Sequence, residues 1–349
     1  MNRFTIRSVC LLAVCALAAF ALAACGADEA DDRPAAATTT GAAAEEAALP
    51  ATIAHKFGET TVTKAPKRVV VVGLREQDAL LALGVVPVGT TEWFGKHPGA
   101  IFPWAEEALG DAPKPTVLTF TDGLQIERVA ALRPDLILGV YSGMSSKDYA
   151  TLSKIAPTVA QPPGQVDWGS SWQDELLTTG KAIGRPKEAQ RLLEETEKRI
   201  AGAAEANPGF KGQKAVVAST FQGVYVYGPQ DARSRFLVDL GFAFPDELRD
   251  IGGGKEFGGQ LSGERMDLLD VGAAVWFADP PAAAKVRRNP VYRKLKVREE
   301  GRDVFLAEQG TLYEATSFIS VLSIPTLLDG LVPRLAAAAD GDPSTKPQA

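Results

Sequence analysis

The sequence predicts an α/β protein of two lobes with mostly parallel sheets, joined by one long helix. Three observations carry that prediction. From about residue 51, short apolar runs alternate with amphipathic stretches, the pattern of buried parallel strands with helices on both faces. The alternation stops at Trp168, runs as helix from Ser171 to about Ala206, and resumes after Pro208 and Gly209. The chain, at 349 residues, is also longer than one hydrophobic core usually supports.

The elements follow in order. Residues 1–24 read as a signal peptide: Arg3 and Arg7, an apolar stretch from Val9 to Leu22, and small residues at the cut. The apolar stretch is shorter than the ~20 residues of a membrane span. Leu22-Ala23-Ala24-Cys25 resembles a bacterial lipoprotein lipobox. The resemblance implies cleavage before Cys25, lipidation of its thiol, and a protein anchored by two acyl chains to the outer face of the cell membrane. An ordinary secretory signal that contains a cysteine is the plainer alternative. Residues 25–50 have almost no large apolar side chains and read as a disordered tether, holding the domain some ~25–30 Å from the membrane.

The N-terminal lobe spans 51–170. RVVVVG (68–73) is a buried strand, EQDALLALG (76–84) a helix ending in glycine, and VVPVGTT (85–91) the next strand. IERVAALRP (126–134) is a helix stopped by proline; DLILGV (135–140) and APTVAQP (156–162) are strands. The inter-lobe helix covers 171–206, with Gly184-Arg185-Pro186 set to interrupt or kink it. The C-terminal lobe spans 207–340, with strands KAVVAST (214–220), AAVWFAD (273–279) and DVFLAEQ (303–309). RFLVDLG, ERMDLLD and about Ser317 to Ala338 are helical, and 341–349 is a disordered tail.

Composition excludes several functions. Removal of residues 1–24 leaves 325 residues and takes the formal charge from −6 to −8. With no basic tract, nucleic acid is not an expected partner. Cys10 and Cys15 leave with the signal, so packing rather than disulfides must hold the fold. His55, on an expected surface strand, and His97, in a Gly/Pro-rich loop, are the only histidines. A bare Zn²⁺ or Mn²⁺ carrier wants clustered imidazoles, and a hydrolase wants a nucleophile–base pair. IGGGKEFGG (251–259) lacks phosphate-loop spacing and reads as a flexible loop near the cleft. GxSxG, HExxH and CxxCH do not occur.

Four stretches carry a resemblance: GLREQDALLALGVVPVGTTEW, LQIERVAALRPDLILGVYSG, LSGERMDLLDVGAAVWF and NPVYRKLKVREEGRDVFL, in that order. Together they resemble the periplasmic-binding-protein-like carriers of ferric-siderophore and cobalamin ABC importers, above all actinobacterial iron-siderophore-binding lipoproteins. The resemblance covers about Ile53 to Ala338. It implies a class III solute-binding fold of two Rossmann-like lobes on a single long helix. It further implies a non-enzymatic monomer with no cofactor, whose cargo is a ferric siderophore and whose partner is an ABC permease dimer. Haem or cobalamin is the alternative cargo, with Tyr141 or Tyr313 as a haem ligand. A lipoprotein of the same fold serving envelope assembly or sensing is the alternative role.

In open α/β sheets, ligands bind beyond the carboxyl ends of the strands. That rule selects Arg75, Trp93 with Phe94, Tyr141 and Trp168 from the first lobe, and Tyr225 with Tyr227, Arg233, Arg235 and Tyr313 from the second. Aromatic faces and arginine forks suit a rigid, partly aromatic, often anionic chelate. Packing is the competing role for each, above all for Trp172. Glu127 and Glu264 begin helices at corresponding places in the two lobes. The resemblance implies that each pairs with an arginine of the permease; favourable placement in a helix dipole is the alternative.

Overall fold

The computed structural model describes residues 45, 48–120, 123–220, 222–254, 256–342 and 344–345. The signal peptide, Cys25 and all but Glu45 and residues 48–50 of the expected tether lie outside them, as do tail residues 343 and 346–349.

Ala51–His55 (β1) and Gly58–Val62 (β2) pair as an antiparallel hairpin. Alternation along β1 turns Ala51, Ile53 and His55 inward. His55 is therefore buried rather than on the expected surface. Its Nε2 lies 2.9 Å from Thr60 Oγ1, and burial lowers its pKa.

The first large sheet contains Val69–Val71 (β3), Gly89–Thr91 (β4), Thr116–Leu118 (β5), Leu136–Gly139 (β6) and Thr158–Ala160 (β7). Its order is β5-β4-β3-β6-β7 and every pairing is parallel. The valines of β3 are all buried, as a central strand covered on both faces requires.

The second sheet contains Ala215–Ser219 (β8), Val224–Tyr227 (β9), Gly258–Leu261 (β10), Ala273–Phe277 (β11) and Asp303–Leu306 (β12), in the order β10-β9-β8-β11-β12. Here β8, β11 and β12 are parallel, while β9 runs antiparallel to both its neighbours. The second lobe is thus less uniformly parallel than its apolar runs suggest. The expected loop 251–259 is also more structured: residues 251–254 form a tight turn with three glycines at positive φ, and β10 follows. A side chain at Gly258 would put Cβ 2.4 Å from the Val226 carbonyl oxygen, so glycine is needed for β10 to pair.

The helical connector breaks where glycine and proline meet. Trp172–Ala182 and Pro186–Ala206 are separate helices, with Gly184 at φ +75° between them. The first packs on β1 and on the helix Glu76–Ala82; the second touches the helices Ala232–Asp239 and Ile324–Ala339 of the other lobe. At 21 residues, the second is about 32 Å long. Glu45 closes its open end: its carboxylate accepts from the backbone N–H of Lys187 at 3.1 Å and of Glu188 at 2.8 Å. Its own N–H donates to Gly184 O at 2.7 Å. A carboxylate there satisfies orphan donors and opposes the helix dipole.

The expected helix from Ser317 to Ala338 is likewise two, Thr311–Phe318 and Ile324–Ala339, parted by Ile319 in the left-handed region at φ 49°. The break drives Phe318 from the second lobe into the first. Its ring lies 4.3–5.9 Å from those of Phe102, Trp104, Trp93 and Phe94.

Candidate functional site

The strand ends of the two lobes bring an unbroken belt of rings together. It runs Trp168, Tyr141, Trp93, Phe94, Tyr313, Phe277, Tyr227, Tyr225, Phe257. Successive centroids are 5.9, 6.1, 4.8, 6.0, 4.8, 5.8, 5.4 and 5.8 Å apart. Four rings come from the first lobe and five from the second, and Phe94 against Tyr313 is the seam. All but the buried Tyr141 and Phe277 keep part of their surface exposed. Phe277 and Phe257 were missed in the sequence. Phe277 ends β11, so the strand-end rule should have found it; Phe257 was hidden in the glycine-rich segment.

Each lobe backs this belt with one buried arginine. The guanidinium carbon of Arg75 sits 3.8 Å from the centre of the Tyr141 ring, and that of Arg233 sits 4.1 Å from the Tyr227 ring. Arg75 Nε donates to Glu175 at 2.6 Å, Nη1 to Phe318 O at 2.5 Å and Nη2 to Ser170 O at 2.7 Å. Arg233 Nη1 donates to Asp231 at 2.7 Å and Nη2 to Ser317 O at 3.4 Å. The two cations therefore meet at adjacent carbonyls ending one helix, where its dipole is negative. Arg75 is 0 % exposed. Its three nitrogens are engaged, and it holds Tyr141 and the lobe junction. Arg233 keeps one unpartnered buried nitrogen, Nε. Arg235 Nη1 donates across the junction to Gly169 O at 3.0 Å. Trp172 is buried at the start of its helix, the packing role expected of it.

Acidic groups beneath the belt carry raised pKa values. Glu76 accepts from Tyr141 N at 2.7 Å and is pushed up to about 8 by burial and then by the charge of Glu175. Asp78 accepts from Trp104 Nε1 at 2.7 Å and from Ser320 Oγ; burial raises it to about 7. Burial also raises the phenols of Tyr141, Tyr225 and Tyr313. Each phenol is thus held in its neutral form. Among the described residues no group of three or more His, Cys, Asp or Glu side chains could hold a metal ion.

Glu127 and Glu264 are both exposed. Each follows an edge strand, β5 or β10, and begins the helical turn after it.

Residues 69–308 match the sequence model of the periplasmic binding protein family. The chain belongs to that family. Its members are substrate-binding proteins, and the two-lobed α/β architecture is theirs. This periplasmic binding protein is 25 % identical over 259 residues to a Bacillus subtilis protein named "Putative ABC transporter substrate-binding lipoprotein YhfQ", covering 71 % of this chain and 78 % of that one. A solved periplasmic solute binding protein of Mycobacterium smegmatis superposes with a TM-score of 0.72 at 32 % identity, covering 83 % of this chain and 98 % of that one. PiaA of Streptococcus pneumoniae, solved in complex with ferrichrome, gives 0.74 at 28 % identity over 83 % of this chain and 99 % of its own. Among the described residues, no helix of the periplasmic binding protein is long and apolar enough to cross a membrane.

Proposed function

We propose that this chain is the extracytoplasmic substrate-binding subunit of an ABC importer and that its cargo is a ferric siderophore. The observation that carries the reading is the nine-ring belt crossing both lobes at the strand ends. Such a surface grips a rigid chelate by its faces and edges and offers no ligand set for a bare metal ion. The relatives support it, since one is named as a transporter lipoprotein and another was solved with ferrichrome. The protein performs no chemistry and needs no cofactor. It works as a monomer, held to the membrane through lipidated Cys25. Trp93, Trp168, Tyr225, Tyr313 and Arg233 contact the cargo, Tyr141 sits behind them, and Arg235 ties the lobes. Glu127 and Glu264, exposed at matching sites, dock on the two halves of a permease dimer.

Titration of the soluble domain tests this. One ferric siderophore per protein should quench the fluorescence of Trp93 and Trp168, and free ferric ion should not. No response to any ferric siderophore, from protein with an intact circular dichroism spectrum, refutes the reading.

A further inference from the structure

Resting on that reading, we propose that the cleft selects electrically neutral ferric chelates of the trihydroxamate class and rejects polyanionic catecholate and citrate complexes. The arginines behind the belt look like anion receptors in the sequence, but the structure pairs the two buried ones with carboxylates. Arg75 is paired with Glu175 and inaccessible; Arg233 is paired with Asp231. Arg235 spends a hydrogen bond on Gly169 O, and its charge acts on Asp239. The charges that bear most on Tyr141, Tyr225 and Tyr313 include the carboxylates Glu175, Asp231, Glu256 and Glu308 beside Arg75 and Arg233. Glu256 and Glu308 are exposed, and the loop 92–97 carries one charge of each sign, Glu92 and Lys96.

A trianionic tris-catecholate entering this site would give up hydration while both buried arginines are already paired with carboxylates, which is costly. In a trihydroxamate complex three singly charged groups cancel the charge of Fe(III), and its largely apolar exterior suits ring walls. Its oxygens still want a donor. The part-exposed phenol of Tyr225, held neutral by its raised pKa, supplies one at no net charge.

The test titrates the protein with ferrichrome, ferric enterobactin and ferric citrate at about 20 and about 500 mM salt, which changes screening several-fold. Ferrichrome should bind at least about tenfold tighter than either anionic complex, with a Kd that moves less than about twofold across the salt range. The double variant Glu256→Lys/Glu308→Lys should tighten ferric enterobactin by about tenfold. An anionic complex that binds as tightly as ferrichrome, or a double variant with no gain for enterobactin, overturns the neutral-cargo inference and leaves the siderophore reading standing. Failure of all three complexes to bind overturns both.

Discussion

Replacing Asp78 by asparagine should flatten the dependence of stability on pH. Asp78 is fully buried, its Oδ1 has no partner, and its Oδ2 takes hydrogen bonds from Trp104 in its own lobe and Ser320 in the other. Burial lifts its pKa from the ordinary 3.8 to about 7. The folded state therefore holds this proton more tightly than the unfolded chain does. The stabilisation is complete near pH 4 and below, and is lost as pH rises through about 7. At about 1.36 kcal/mol per pKa unit the full swing is about 4 kcal/mol, of which about 2 kcal/mol falls between pH 5 and pH 7. Asp78→Asn keeps the shape and cannot ionise. Denaturant unfolding of both proteins at pH steps from 4 to 7.5 gives the difference curve. Glu76 and Glu175, whose pKa values are also raised by burial, are retained in both proteins and largely cancel. The variant should gain on wild type by about 3–4 kcal/mol across that range. A difference that stays constant with pH refutes the reasoning.

Three further outcomes are expected. Glu45→Ala removes the acceptor for two helix N–H groups and should cost about 1 kcal/mol, with faster hydrogen exchange at the amides of Lys187 and Glu188; unchanged exchange there contradicts the capping role. Glu127→Arg/Glu264→Arg should keep siderophore affinity and abolish uptake in cells, since like charges facing across an interface cost several kcal/mol; wild-type uptake sinks the docking role. Cys25→Ser should leave the protein uncleaved or released, and membrane partitioning like wild type after proven signal removal would show that Cys25 is not the anchor.

The sequence was most legible where one local rule settled the outcome. The valine run fixes β3, the proline-stopped helix precedes β6, and Gly184 with Pro186 breaks the connector. It was least legible where long-range pairing decides. β5 and β10 are short edge strands with no apolar run of their own; they exist because β4 and β9 offer them partners. His55 reads as polar surface until the hairpin folds it under the lobe. The cleft followed the same division. Strand-end position found seven of the nine belt rings named above, yet it could not show that Arg75 is sealed by Glu175, which lies 100 residues away in sequence.

Were Cys25 lipidated as proposed, the body would be pulled at a single point, Glu45. That point is the seam between the helices Trp172–Ala182 and Pro186–Ala206, where Glu45 is bonded to Gly184, Lys187 and Glu188. Force arriving there acts on the connector itself, with a short lever arm across the cleft. Tension applied at that seam would load both lobes through the connector they share.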